Sequence, residues 1–360
     1  MSLKASFFKK TFNFSFKART SRGAMDKKDS WFLSIWDSEQ PEVVGIGEAG
    51  PLPGLSHEKS ADVEAELLGI IKVISNAGNS GGFQSLAQVH DFIQADKISS
   101  SVLFAVETAF LDLKNGGSRI IYHNNFIKGK PIPINGLVWM GGLDYMLQQV
   151  SIKISEGFSC IKMKVGGLNF EKELDILQFI RRKYFRDVIE IRLDANGAFK
   201  PEQALYKIMD CSRFDVHSIE QPLKAGSSFL SELCSHSPIP IALDEELIGL
   251  RSANQKIELL DRVRPPFVIL KPTLHGGLLG CEEWIKLAEE RSVKWWMTSA
   301  LESNIGLNAV AQFTANYPVS IPQGLGTGSI YSDNIPSPLN VKKGFLSYNS
   351  QESWDLSSFN

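Results

Sequence analysis

Cysteine is scarce in this chain of 360 residues: Cys160, Cys211, Cys234 and Cys281 stand singly, with no Cys-x-x-Cys pair and no histidine nearby at a zinc-ligand spacing. That argues against a disulfide framework or a structural zinc site, and fits a reduced, cytoplasmic protein. An excess of charge is missing too. The formal net charge is −2, which gives no electrostatic footprint for nucleic acid or an anionic membrane surface. Met1–Lys17 mixes Lys9, Lys10 and Lys17 among phenylalanines without a continuous apolar stretch, so neither a membrane span nor a secretory signal is supported. No Gly-x-Gly-x-x-Gly turn follows a first strand, which weakens a dinucleotide-binding reading. The expected partner is a small molecule.

What is present is enough apolar material for a large core. Hydrophobic residues make up 43% and charged residues 22%, ordinary for a soluble globular protein of roughly one to three domains. To about Lys130, strands come first and helices later. Phe12–Phe16, Trp31–Trp36 and Val43–Gly50 read as strands, with a glycine-bearing loop at Ser21–Met25 and a turn-rich segment at Pro51–Ser56. Ser60–Ser75 and Val102–Leu113 have helical apolar spacing. Residues 1–130 therefore read as an α+β unit.

From about Pro131 the rhythm becomes strand, helix, strand, helix. Strands are expected at Ile132–Val138, Phe158–Val165, Val188–Asp194, Val216–Glu220, Ile239–Asp244, Phe267–Lys271 and Lys294–Ser299, with a weak last one near Gln323–Gly328. Helices between them, such as Leu143–Glu156 and Asn304–Asn316, make about eight βα steps in roughly 200 residues, which fits a (β/α)8 barrel better than an open sheet. The expected division is a capping unit over 1–130, a barrel over 131–328, and a segment over 329–360 packing back on the cap.

Ionisable residues end the predicted strands in series. Lys164, Asp194, Glu220, Asp244 and Lys271 follow one another at separations of 30, 26, 24 and 27 residues, each about one βα unit. They converge on one mouth, the face where barrel enzymes carry their chemistry. Three carboxylates together repel unless a cation joins them, and hard oxygen ligands with room for water and substrate suit Mg2+ better than Zn2+. Lys162 and Lys164, two apart in a strand, point the same way. At roughly 7 Å and an effective dielectric of about 20 they repel by about 2 kcal/mol, between one and two pKa units. That can hold one lysine neutral near pH 7, as a general base requires. A carboxylate substrate on the ion has an acidified α-proton, because its loss gives an enediolate facing the cation. Lys164 is the expected base, and Lys271 is expected to stabilise the developing charge or act on the opposite face.

As a set, Ile161-Lys162-Met163-Lys164, Arg192-Leu193-Asp194-Ala195-Asn196-Gly197, Ile219-Glu220-Gln221-Pro222, Leu243-Asp244-Glu245 and Leu270-Lys271-Pro272 resemble the enolase superfamily, in its muconate-lactonizing subgroup. The resemblance covers nearly the whole chain. It implies an α/β fold in which a (β/α)8-type barrel carries an α+β capping domain formed by the N-terminal part and the C-terminal tail. It also implies Mg2+, with Mn2+ as a substitute, on Asp194, Glu220 and Asp244, a small carboxylate substrate, and leaves a homo-oligomer open.

Within the subgroup, Arg192, Pro133-Ile134-Asn135-Gly136-Leu137 and Ser299-Ala300-Leu301-Glu302-Ser303-Asn304-Ile305-Gly306 are similar to members that dehydrate a cyclohexadiene carboxylic acid bearing a succinyl chain. That implies that Lys164 removes the α-proton and then helps the hydroxyl leave from the same side, that Lys271 lies over the ring, and that Lys162 contacts the metal-bound carboxylate. The alternative in the same scaffold is racemisation of an N-succinyl amino acid, with Lys164 and Lys271 as opposed bases. Gly324-Leu325-Gly326-Thr327-Gly328 carries no acid where dipeptide epimerases have Asp-x-Asp, and Gly326 stands where dehydrating members often have aspartate. Ser299 and the backbone near Gly324, with Glu302 beside them, are candidates for the succinyl carboxylate, or else a cap and a plain turn. Arg192 is a substrate contact or an interior ion-pair partner. Asn196 and Glu245 orient the groups beside them or serve turn and solvent. His217 and His275 are expected to pack or cap.

Overall fold

The computed structural model describes residues 2–20, 23–76 and 83–359. The alternation at Phe12–Phe16 extends both ways: β1 (Leu3–Thr20) pairs antiparallel with β2 (Gly23–Asp37), and β2 with β3 (Gln40–Ala49). From Gly23 on, the expected loop at Ser21–Met25 is strand, since Ala18, Arg19 and Thr20 pair with Met25, Ala24 and Gly23. Ser21 and Arg22 lie outside the described residues. A register shift between Asn13 and Ala18 breaks the period-two pattern and hides this continuation from the sequence.

Helices α1 (Ser60–Asn76) and α3 (Ser100–Lys114) cover one face of that sheet, burying Trp31, Leu33 and Ile35 with Val63, Leu67 and Val106. Between them, α2 (Leu86–Ile93) escapes the periodicity analysis. It is eight residues long and ends at Gln94 in a left-handed conformation rather than at a glycine. Gly45-Ile46-Gly47-Glu48-Ala49-Gly50 has the glycine spacing of a phosphate-binding turn, but it forms the end of β3. Its glycines admit α3: a Cβ on Gly45 would stand 2.1 Å from the Ala109 carbonyl oxygen, and one on Gly47 1.9 Å from that of Ala105.

After β4 (Ile132–Pro133) comes one parallel sheet in chain order: β5 (Gly136–Val138), β6 (Cys160–Lys164), β7 (Glu190–Asp194), β8 (Ser218–Glu220), β9 (Ile241–Leu243), β10 (Phe267–Leu270) and β11 (Lys294–Met297). The crossovers are α4 (Leu143–Ser155), α5 (Phe170–Lys183), α6 (Pro201–Ser212), α7 (Leu230–His236), α8 (Ala253–Val263) and α9 (Gly277–Glu289), and α10 (Asn304–Thr314) follows β11. The strand expected over Ile132–Val138 is thus two pieces. Pro133 has no N–H to continue a ladder, and Ile132–Pro133 pairs instead with β13 (Phe345–Tyr348), itself hairpinned to β12 (Leu339–Lys342).

Gln323–Gly328 forms no strand of this sheet, yet parallel bridges join Gln323 to Ile134 and Gly324 to Thr298, just outside the edge strands β5 and β11. A run of glycines packs too little side chain to sustain a longer ladder. The fold is mixed α/β, a seven-stranded parallel sheet beside an antiparallel N-terminal unit. The second face of that unit joins the mouth of the parallel sheet through Phe12, Phe32, Ile46, Leu52, Trp139, Leu301, Ile305 and Tyr331. From the tail, Tyr331 packs at a tilt against Phe12 and Phe14, and Phe359 meets Phe8 and Phe32 edge to face.

The helix-to-sheet contact through β3 should be intolerant of a single methyl. Gly47→Ala is expected to lower stability by about 1–3 kcal/mol or more, as overpacking does, whereas Gly69→Ala, in open space on α1, should raise it by up to about 1 kcal/mol. Urea denaturation of the two variants checks both signs.

Candidate active site

Strand register turns distant residues into neighbours. Lys164 pairs with Asp194, and Asp194 with Glu220, across β6, β7 and β8; Asp244 directly follows β9, and Lys271 directly follows β10. Adjacent strands stand about 4.8 Å apart, so these groups form one row. All are buried: Asp194 and Asp244 are 0% exposed, and even Lys164 only 8%.

The row is held by compensation of charge. Lys164 Nζ donates to Asp194 Oδ2 at 2.6 Å and to Asn196 Oδ1 at 2.8 Å. Lys162 Nζ stands 2.9 Å from Asp194 Oδ2 and in contact with Glu220 Oε2, while Lys271 Nζ donates to Asp244 Oδ2. Burial disfavours every one of these charges. For Lys162 the facing charges of Asp194 and Glu220 outweigh burial and hold the ammonium above its ordinary range, and Asp244 does the same for Lys271. For Lys164 burial prevails over Asp194, with the Lys162 ammonium adding to it, and its pKa is lowered. Burial and then the Asp194 charge push Glu220 well up. Against burial, Lys162 and Lys164 hold Asp194 down, and Lys271 holds Asp244 down.

Loops after the strands steady the row. Asn196 accepts the Lys164 proton with its amide oxygen, donates its backbone N–H to Asp194 Oδ1 at 3.0 Å, and donates Nδ2 to Glu245 Oε1 at 3.0 Å. Gln221, which was not singled out from the sequence, accepts the backbone N–H groups of Asp244 and Glu246 at 3.2 Å each. The signal was its position next to Glu220. His275 accepts the Lys271 backbone N–H at Nδ1, 3.0 Å away, and burial pushes its pKa down to about 3, so it stays neutral. His217 packs on Phe267 and bonds Ser218.

A cavity of about 600 Å³ opens above the lysines, roofed by Met25 and Leu52–Leu55 and walled by Trp139, Leu301 and Ile330. Several expected contacts are engaged elsewhere. Arg192 lies beneath the row, donating to Glu190 Oε1 at 2.7 Å and to the Pro322 carbonyl at 2.7 Å, with its guanidinium over Trp296. It is the interior ion-pair partner. Ser299 lines the cavity, but its hydroxyl donates to Glu302 Oε2 at 2.5 Å and accepts from Leu301 N–H and the Thr327 hydroxyl. The Gly324 N–H is bonded to the Met297 carbonyl, and a Cβ there would stand 2.4 Å from Thr298 Oγ1. Neither Ser299 nor the Gly324 N–H has a donor left for a ligand. Two cavity-lining residues do have polar atoms without a hydrogen-bond partner, the buried Asn135 Oδ1 and Thr298 Oγ1. Sequence patterning missed both, although Asn135 sits in the quoted Pro133–Leu137 run.

Whether a cation fits is decided by the oxygens. Among the described residues, no three His, Cys, Asp or Glu side chains are grouped to hold an ion as they stand, because lysine ammoniums fill the space between the carboxylates. Yet Glu220 Oε1 and Asp244 Oδ1 are buried without any hydrogen-bond partner, a costly state for a carboxylate oxygen. Hard, underbonded oxygens beside Asp194 suit Mg2+.

A parallel α/β sheet with acid-base groups at the carboxyl ends of its strands defines an enzyme, one that acts on a small molecule. The chain belongs to the enolase superfamily: the model described as "Enolase C-terminal domain-like" matches residues 145–351, and members of that superfamily use Mg2+. Among curated proteins it is 40% identical over 351 residues to the o-succinylbenzoate synthase of Desulfotalea psychrophila, covering 91% of this chain and 94% of that one. The crystal structure of MenC from the same organism superposes with a TM-score of 0.85 at 37% identity, covering 96% of this chain and 100% of that one. The N-succinyl Arg/Lys racemase of Bacillus cereus shares the fold, with a TM-score of 0.82 at 18% identity over 98% of this chain and 94% of that one.

A cation that joined these underbonded oxygens would relieve their lack of partners, so Mg2+ should stabilise the protein. At a hundredfold excess over its Kd the gain is about 2.7 kcal/mol, read as a saturable rise in Tm. Asp244→Asn should abolish most of that rise; an equal rise in wild type and variant would place the ion elsewhere.

Proposed function

We propose that this chain is a Mg2+-dependent o-succinylbenzoate synthase of menaquinone biosynthesis, acting in the cytoplasm, with Mn2+ as an accepted substitute. The reaction converts 2-succinyl-6-hydroxy-2,4-cyclohexadiene-1-carboxylate to 2-succinylbenzoate and water. The single observation that carries this reading is the 40% identity along 91% of the chain, and the buried Lys164–Asp194–Glu220 row supports it chemically. We also read the bridges from Gln323 and Gly324 to both sheet edges as closing a (β/α)8-type barrel over residues 131–328, capped by 1–130 and the tail.

In this reading Asp194, Glu220 and Asp244 hold the ion. When bound, it supplies positive charge for the substrate carboxylate and acidifies the neighbouring C–H. Lys164, lowered by burial and by Lys162, takes the proton from C1. The electron pair left behind moves into the ring as the C6–O bond breaks, and Lys164 returns its proton to the departing hydroxyl. One water leaves and the ring becomes aromatic. Lys271, a firm cation beside Asp244, offsets the charge that develops across the ring. Lys162 keeps Asp194 and Glu220 compensated and meets the substrate carboxylate. Asn196, with Glu245 behind it, aims Lys164. Thr298 with its hydroxyl and Asn135 with its amide Nδ2, its oxygen being an acceptor like the carboxylate, supply the polar contacts at the succinyl end, in place of the engaged Ser299, Glu302 and Gly324.

Ultraviolet-monitored dehydration of the cyclohexadiene acid tests the reading directly. Turnover should require Mg2+ and fall by at least about 10³-fold in Lys164→Ala, as loss of a positioned base implies. Rapid α-deuteration and inversion of an N-succinyl amino acid in D2O, with no turnover of the cyclohexadiene acid, would favour the racemase instead.

The pH profile tests the division of labour. Lys164 works neutral, so kcat falls as pH drops through its pKa. Lys162→Gln removes a like charge that lowers that pKa, so the acid limb should move up, by about one pH unit or more. A limb that stays put refutes the tuning role.

A further inference from the structure

Two buried carboxylates of the N-terminal unit grip the starts of helices in the parallel-sheet unit. Glu48, 0% exposed at the end of β3, accepts from the backbone N–H of Ser303 at 2.9 Å and of Gly306 at 3.0 Å, and from the hydroxyls of Ser303 at 2.6 Å and Ser30 at 2.7 Å. Glu107 on α3, also 0% exposed, accepts from the N–H groups of Leu278 and Leu279 at the start of α9, with His90 Nε2 2.7 Å away. Helix N-terminal amides carry partial positive charge and have no partner within their own helix. Each carboxylate therefore satisfies donors that a dry interface would otherwise strand.

The two grips differ in their surroundings. The chain leaving Glu48 passes into Leu52–Leu55, which roof the cavity. On the other side of the grip, Ser303 follows Leu301 and Glu302. Leu301 walls the cavity, and the Glu302 carboxylate accepts the hydroxyls of Thr273 and Ser299 at 2.5 Å each. Lys28, 1% exposed, donates to the Ser30 hydroxyl at 3.4 Å and supplies counter-charge for both acids. Gly306 lets this cluster close: a Cβ there would stand 2.7 Å from Glu302 Cβ and 3.0 Å from Glu48 Oε2. Glu107 holds a helix start that does not line the cavity.

We propose that Glu48 is a positioning residue: its carboxylate fixes the Leu52–Leu55 roof against the Ser299–Leu301 wall and so sets the cavity around the end of the substrate remote from the lysines. Its kinetic consequence rests on the synthase reading, whereas its structural consequence does not. In Glu48→Gln the amide nitrogen cannot accept from Ser303 or Gly306, so buried donors lose their partner while volume is kept.

The test uses the full-length Mg2+-loaded protein, with Ser303→Ala as a milder second variant and Glu107→Gln as the control. Without substrate, amide hydrogen exchange over residues 50–56 and 299–306 should accelerate by about tenfold in Glu48→Gln, the effect of one lost hydrogen bond, and by less in Ser303→Ala. Glu107→Gln should accelerate exchange at 276–281 instead. With the cyclohexadiene acid, Glu48→Gln should raise KM about tenfold with kcat changed less than about threefold, whereas Glu107→Gln lowers Tm and leaves both constants within about twofold. Unchanged exchange at 50–56 in Glu48→Gln, or equal kinetic losses in Glu48→Gln and Glu107→Gln, overturns the proposal. If the wild type fails to turn over the acid, the synthase reading falls, and the exchange data still decide the latch.

Discussion

The architecture depends on one constraint, that three lysines and three carboxylates are buried together at the ends of neighbouring strands. None of them is tolerable alone, since each isolated charge in such a place carries a desolvation penalty of several kcal/mol. They are stable as a set because register alternates them: Lys162 and Lys164 face Asp194 and Glu220, and Lys271 faces Asp244. Compensation is uneven, and the unevenness is what makes chemistry available. Lys162 and Lys271 are held charged by their partners, whereas Lys164 shares Asp194 with a second lysine and is lowered by burial. One group in the row is thereby left ready to accept a proton.

Keeping so many charges dry requires the strand-end loops to stay in place, and buried carboxylates do much of that holding. Glu173 gathers the N–H groups of Gly166, Gly167 and Leu168 after β6, Glu107 the start of α9, and Glu48 the start of α10. Each acts on amides that have no place in a ladder or helix. The loops above a charged floor are thus fixed by polar bonds made from their outer side, which leaves their inner side apolar toward the cavity.

What could be read from sequence follows from the same physics. The row was legible because a strand has a period of two and a βα unit a nearly constant length, so strand-end charges announce themselves by spacing. The lower half of the site was therefore visible in Lys164, Asp194, Glu220, Asp244 and Lys271. The walls were not, because whether a hydroxyl is available depends on partners far away in the chain. Ser299 looks like a ligand contact until Thr327, 28 residues on, is found on its oxygen. Arg192 looks like an anion hook until Trp296 and Pro322 are found around it. Glu48 resembles an ordinary strand acid, and only the pairing of β3 with a helix start more than 250 residues later gives it a role. The long β1–β2 hairpin was obscured for a related reason, since a register shift moves the apolar residues to the other parity.

Selectivity in such a site has to come from the walls, because the floor serves any carboxylate with an acidic α-hydrogen. Here the floor is wholly charged and the roof of Met25, Leu52 and Leu55 apolar, while open polar atoms are placed at Asn135 and Thr298 to one side. In the synthase reading proposed above, the substrate's ring carboxylate would face the row, its ring the apolar roof, and its arm the Thr298 hydroxyl and Asn135 amide. At Gly326 a Cβ would meet nothing closer than the Asn135 carbonyl oxygen at 3.4 Å, so the missing side chain widens the cavity beside that arm. Without an acid at that position the wall's carboxylate is Glu302, which is buried and engaged by the Thr273 and Ser299 hydroxyls rather than facing the cavity, so an ammonium has no acid to meet there. The same absence disfavours an amino-group ligand, and in the synthase reading proposed above it leaves the Thr298 hydroxyl and the Asn135 amide as the polar groups beside the arm.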